Sequence, residues 1–246
     1  PTNRPRSMRL TRVGPPAGSG RWSFVGDVSE GPADDTAATV NLHAIAMQML
    51  QRHGVVTREA VLAEGVKGGF AGVYGVLKVL EERGSVRRGY FVDGLGAAQF
   101  ALPGAVDRLR GMRDTSFGES DADANDALVI AATDPAQPYG SVLGWPTSAG
   151  RPARTASALV ILRAGRPLAW YDTRSGNLVV LGDFDAVDAR TVASSLARTG
   201  KDGRVRSVTV RKIDGSEPTA SPHAELLIDE LRAAGFVEGY RGYTLR

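Results

Sequence analysis

The 246-residue chain has no cysteine, only three histidines and no lysine-serine or lysine-threonine pair behind a glycine loop. Each gap removes a class of chemistry. Without cysteine there is no disulfide framework, no thiolate nucleophile and no Cys-ligated zinc. His43, His53 and His223 are scattered, with no ligand pair at useful spacing, so no metal site is expected. The only Gly-Lys pair, Gly200-Lys201, is followed by Asp202 and lacks an upstream glycine, which excludes a phosphate-gripping ATPase loop. No apolar run reaches membrane-spanning length, and the opening PTNRPRSMRLTR has arginines with no apolar core after them. The expectation is a cytoplasmic protein that needs neither membrane nor signal peptide.

What is present is enough for real cores, since 42% of residues are hydrophobic, and the length suits one large or two modest domains. Thirty Lys and Arg against 27 Asp and Glu leave a net charge of +3, which permits nucleic-acid binding without demanding it. The chain opens without an initiator Met in an arginine- and proline-rich stretch without periodicity, so it reads as a piece of a longer polypeptide.

Two polar segments divide the sequence, GDVSEGPADD at 26–35 and the acidic DTSFGESDADAND at 114–126. Residues 1–19 read as the tail of a preceding module, 20–113 as the first domain, 114–125 as an acidic linker and 126–246 as the second domain. In the first domain RWSFV predicts a short strand. A helix follows in which Val40, Ala44, Met47 and Leu50 recur at helical spacing before His53-Gly54 closes it. Thr57 is placed to cap a short second helix that ends at Gly65. A third, GFAGVYGVLKVLEERG, puts Phe70, Val73, Leu77 and Leu80 on one face and stops at Gly84. SVRRGYFV then alternates as a strand, DGLG turns, AAQFAL returns, and Pro103 opens a closing helix.

Three short helices and a β-hairpin are the order of a winged helix-turn-helix, with the third helix in the recognition position. Beyond the linker, ALVIAAT, SALVILR, RPLAWYD and NLVVLG are short β-rich runs, followed by helix, strand, helix and strand. The fold class predicted is α+β, a winged helix-turn-helix followed by a β-barrel-like domain with helices near its end.

The Gly94-Leu95-Gly96 loop admits two chemistries, a phosphate cradle or a hairpin tip. A cradle requires a helix after the glycines, and here a second strand follows. As a wing tip, Asp93-Gly94 supplies the positive φ angles of a tight turn. Arg87 and Arg88 precede it with Tyr90 beside them, and Lys67, Lys78 and Arg83 belong to the third helix and its approaches. All six are candidate DNA contacts, through a basic edge facing phosphates. The bland alternative is a solvated charged face, because Glu81 and Glu82 on the same helix offset part of the charge. That helix is rich in glycine and poor in Asn, Gln and Arg, which disfavours base-specific reading.

A second candidate is AATDPAQPYGSVLGWP, residues 131–146. Two prolines fix a loop that carries Asp134, Gln137, Tyr139 and Trp145. Functionally, Gln137, Tyr139 and Trp145 would hold an extruded base, while Asp134 steers a water or stabilises an oxocarbenium ion. Structurally, the same residues make an Asp-Pro turn with packed aromatics. Arg204, Arg206, Arg211 and Lys212 give the RVRSVTVRK segment a basic stripe that reads as solvated surface or as a second backbone contact.

The run RHGVVTREAVLAEGVKGGFAGVYGVLKVLEERGSVRRGYFVDGLGAAQFALPGAVDRLR together with ATDPAQPYGSVLGWP resembles the C-terminal region of the large helicase-related (Lhr) superfamily 2 DNA helicases, from about residue 20 onward. The resemblance implies the last winged helix plus a terminal β-barrel module, without the motor domains that would hold ATP and magnesium. It further implies DNA, single-stranded or forked, as partner, contacts with other winged-helix modules of the same chain, and homo-oligomerisation. Its implied role is DNA engagement or assembly for a repair helicase. The extension is also similar in architecture to AlkZ-type winged-helix DNA glycosylases, so uracil excision is one alternative and a purely structural cap another. The Gln-x-Gln and Gln-x-Asp strings of the AlkZ type have no counterpart here, since Gln48 is followed by Met49-Leu50 and Gln99 by Phe100-Ala101.

Overall fold

The computed structural model describes residues 35–96, 98–114, 127–203 and 207–245. The 1–19 tail, the RWSFV segment, nearly all of the acidic linker, and Arg204 and Arg206 lie outside the described residues. The chain is α+β, with the winged helix first.

Helix α1 (Asp35–His53) ends as expected, with Gly54 at a φ of 71°. Its buried face differs from the expected one. Leu50 is buried and Met47 packs against the core as expected, but Val40 and Ala44 are exposed, and Ala46 and Met49 are buried in their place with Leu42 and Ile45 alongside. Two apolar stripes share this helix, and periodicity alone does not choose between them; packing against the third helix does. Strand β1 (Val55–Val56) leads to α2 (Arg58–Ala63), capped by the Thr57 hydroxyl, which accepts from the Ala60 amide at 3.1 Å. Helix α3 (Gly69–Glu82) buries Val73, Leu77 and Leu80, and then β2 (Arg87–Gly89) and β3 (Gln99–Ala101) form the wing. Strand β3 lies between β1 and β2, both antiparallel to it, so the wing is stitched into the helical core. Helix α4 (Pro103–Asp114) begins at the proline.

In the second domain β4 (Leu128–Ala131), β5 (Ala158–Arg163), β6 (Arg166–Asp172) and β7 (Asn177–Val180) form an antiparallel run, to which β9 (Lys212–Ile213) adds in parallel. The expected long strand around RVRSVTVRK is broken at Arg211. Its first part, β8 (Thr209–Val210), pairs instead with the C-terminal hairpin of β10 (Phe236–Gly239) and β11 (Gly242–Leu245). Between them lie α5 (Ala186–Lys201), a short 3-10 turn at Pro218–Ala220 and α6 (Ala224–Ala233).

Alternation along the central strands gives the sheet two apolar faces. Ile161, Ala169, Tyr171, Leu178 and Val180 pack against α5 and α6 through Val192, Leu196, Leu227 and Leu231. The opposite residues, Val160, Leu162, Trp170, Val179 and Leu181, are covered by Ala132, Tyr139 and Trp145 from the proline-rich loop. Among the described residues the strands form two sheets in this domain and no closed barrel. The physical reason is that helices cover one face of the five-stranded sheet and the loop covers the other, so neither face needs closure to leave water.

One ion cluster holds α5 to the sheet. Asp188 is 2% exposed, receives Arg163 at 2.9 Å and Arg166 at 2.6 Å, and shares a reciprocal capping box with Asp185. Asp188→Ala removes the acceptor for two guanidinium groups and one half of the cap. A loss of about 3 kcal/mol in urea unfolding is expected, and a loss typical of an exposed ion pair, under about 1 kcal/mol, would show the cluster to be peripheral.

Candidate nucleic-acid interface

The wing loop between β2 and β3 is too long for a two-residue turn, and of Asp93-Gly94 only Gly94 has a positive φ, at 72°. One buried side chain, Gln99, makes most of the described side-chain hydrogen bonds that hold it. Gln99 is fully buried; its carboxamide oxygen accepts from the Phe91 and Val92 amides, both at 2.8 Å, and its nitrogen donates to the carbonyls of Val92 at 2.9 Å and Gly96 at 3.2 Å. The side chain replaces the rungs a wide loop cannot make for itself. Sequence reasoning missed this role, and the only signal for it was a polar residue at an inward position of an apolar strand.

This frame displays Tyr90, 79% exposed, together with exposed Arg87 and Arg88. Because successive strand residues point to opposite faces, the two arginines do not form one cluster. Arg88 pairs across from Phe100, and its guanidinium lies 6.0 Å from the centre of that ring, a cation-π distance. Arg87 points to the other side. Lys67 and Arg83 are exposed at the two ends of α3, while Lys78 is exposed on its surface 3.9 Å from Glu82.

Beside the exposed Lys78–Glu82 pair, one stripe of α3 is apolar. Gly72, Gly75, Val76 and Val79 join Val40 and His43 of α1 around an open groove of 540 Å³, with Arg83 at its edge. A recognition helix with glycines and valines outward has few donors or acceptors to offer base edges.

The 131–146 loop is locked from within. Asp134 is partly buried, and one of its carboxylate oxygens accepts from the Ala136 amide at 2.8 Å, an Asx turn. Gln137 is fully buried, and its carboxamide is turned onto its own loop, donating to Ala132 and Tyr139 carbonyls and accepting from the Tyr139 amide. Tyr139 and Trp145 stack with centres 6.3 Å apart, and the Tyr139 hydroxyl donates to the Gly165 carbonyl at 3.0 Å. Burial raises the Tyr139 phenol above its ordinary value. Gly140, at φ 76°, lies so close that a Cβ there would strike the Trp145 indole.

Arg154, which sequence reasoning did not single out, donates to the carbonyls of Gln137 at 2.6 Å and Asp134 at 3.2 Å. Val142, from the same loop, packs against the winged-helix core. Asp134, Tyr139 and Trp145 therefore share one rigid loop beside the wing domain, with Gln137 inside it as a brace.

Elsewhere, the buried Asp214 carboxylate accepts from Ser221 at 3.0 Å, lies 2.7 Å from the His223 ring and accepts from the Val180 amide at 2.9 Å. This cluster, unforeseen in the sequence, ties the sheet to the start of α6.

The expected family resemblance is borne out. Residues 35–121 match the winged-helix domain of large helicase-related proteins. Over 241 residues the chain is 43% identical to a Mycolicibacterium smegmatis protein named Lhr helicase/probable uracil glycosylase, covering 96% of this chain and 15% of that protein. Over 227 residues it is 31% identical to an Escherichia coli protein named Lhr helicase/uracil glycosylase, covering 91% of this chain and 14% of that one. The chain thus spans about one seventh of the length of these relatives.

Gln99→Ala leaves the Phe91 and Val92 amides without their acceptor. Unfolding stability should fall by about 2 kcal/mol, and chymotrypsin should cut at Tyr90 or Phe91 much faster than in the parent. Unchanged cutting would mean that the loop holds its shape without this side chain.

Proposed function

With residues 35–121 matching the winged-helix domain of large helicase-related proteins, and the rest of the chain aligning with the same two relatives, we propose that this is a module of an Lhr-type ATP-dependent DNA helicase. Its role is to engage DNA, single-stranded or forked, and to support assembly with other winged-helix modules and with further copies during DNA repair in the cytoplasm. The observation that carries this reading is the braced wing, in which strand β2 keeps Arg87 and Arg88 exposed on its two faces and the loop fixed by Gln99 keeps Tyr90 in solvent.

Phosphate contacts from such a wing are independent of sequence, in keeping with the apolar stripe of α3. The same apolar groove supports contact with neighbouring modules. ATP and magnesium belong to motor domains, and this chain has no Lys-Ser/Thr loop to hold them.

Uracil excision is the second reading, favoured by the rigid loop that carries Asp134 beside the Tyr139-Trp145 stack. Asp134 would steer the water or stabilise the developing cation, with the two rings beside the extruded base. A domain that only caps the winged-helix array would show neither binding nor excision.

Fluorescence anisotropy with labelled single-stranded and forked DNA tests the first reading. Arg87→Ala with Arg88→Ala should weaken binding about tenfold at moderate salt and flatten its salt dependence. Unchanged affinity would sink the wing contact. Light scattering tests assembly, which falls if the chain is strictly monomeric and the parent protein assembles without it. Incubation with uracil-containing single-stranded DNA and alkaline cleavage of abasic sites tests excision, and full activity in Asp134→Asn would remove Asp134 from it.

A further inference from the structure

The C-terminal hairpin β10–β11 turns through Gly239-Tyr240-Arg241-Gly242, and at its apex Tyr240 is as exposed as in an open peptide. A tyrosine at that position buries none of its ring in the fold. The hairpin forms one wall of an open groove of 530 Å³, which Arg211 also lines, and the 3-10 turn with Glu217 and Thr219 forms another. Arg211 is the residue at which the expected strand breaks between β8 and β9. Its amide donates to the Gly176 carbonyl at 2.8 Å, and its stem lies so close over Gly176, at φ 70°, that a Cβ there would come within 2.9 Å of it. The guanidinium thus starts from a fixed base, and exposed Lys212 follows it.

Two carboxylates line the same groove, and they are not equivalent. Glu238 receives Arg232 at 2.8 Å, and that hydrogen bond holds its carboxyl below the usual range. Glu217 forms no ion pair among the described residues. Tyr243 is 2% exposed beneath, with Arg232 5.7 Å from its ring centre.

We propose that this groove is a second nucleic-acid contact, specific for single strands, in which Tyr240 stacks on an unpaired base while Arg211 and Arg241 hold the flanking phosphates. An exposed ring between cations is the arrangement that binds single strands without reading their sequence, since every base has a face to stack and every nucleotide a phosphate. A duplex keeps its bases stacked on one another and cannot use Tyr240. The site rests on the DNA-engagement reading but not on the wing, because it lies on the other domain.

Anisotropy titration of the whole chain with fluorescein-labelled oligothymidylate, and with a duplex of the same length, tests it. Tyr240→Ala should weaken single-strand binding about tenfold while barely changing duplex binding, and Tyr240→Phe should retain it. Arg211→Ala with Arg241→Ala should lower the slope of log affinity against log salt by about 1.4, that is about 0.7 for each phosphate no longer neutralised, whereas Tyr240→Ala should leave the slope alone. Glu217→Gln should tighten binding about twofold to threefold by removing the carboxylate that lacks a counter-charge.

Full single-strand affinity in Tyr240→Ala and in the double arginine variant, with weakened binding in the Arg87/Arg88 variant, would overturn this groove and leave the wing reading standing. No binding of either probe by the parent chain would overturn both. Circular dichroism of each variant separates a weakened site from a misfolded chain.

Discussion

The five-stranded sheet of the second domain has to leave water on both sides. Its central strands carry large apolar residues at consecutive positions, Val160-Ile161-Leu162 on β5 and Val179-Val180-Leu181 at the end of β7, so neither face can be the wet one. Most of the domain follows from that demand. Helices α5 and α6 cover one face, and a loop with little regular structure covers the other. A loop in that position must satisfy its own buried backbone, which is the work of Gln137 and Arg154. The rigidity of the segment that carries Asp134, Tyr139 and Trp145 is therefore a consequence of burying a sheet face.

The wing repeats the same solution on a smaller scale. A loop too wide to close with its own rungs is held by the buried carboxamide of Gln99 and displays an aromatic ring to solvent, next to two arginines on the strand that leads into it. In both domains a buried glutamine braces the backbone of a loop. The glycine- and valine-rich stripe of α3 is suited to flat apolar contact and not to the reading of base edges.

The exposed features of this chain are suited to contacts with backbones, stacked bases and protein faces, none of which needs a defined DNA sequence. The braced loop beside the wing is the place for base chemistry if the uracil-excision reading holds, and the C-terminal groove is the place for a single strand.

Much of this was legible in the residues. Thr57 as a helix cap, Gly54 and Gly84 as helix ends, the strand after Gly96 that excludes a phosphate cradle, and the α+β order of elements all depend on neighbours a few residues away, so the sequence by itself determined them. The family resemblance was carried by contiguous strings and was equally local. Tertiary structure alone decided which apolar stripe of α1 is buried, because two stripes fit the helical period and only the partner helix discriminates between them. It alone turned Gln137 inward, brought Arg154 to carbonyls some twenty residues earlier, and broke one basic strand at Arg211 so that its halves serve different sheets. Each of these outcomes is set by hydrogen bonds and packing between segments far apart in the chain. Local pattern carries no information about such partners, which exist only once the sheet has been covered on both faces.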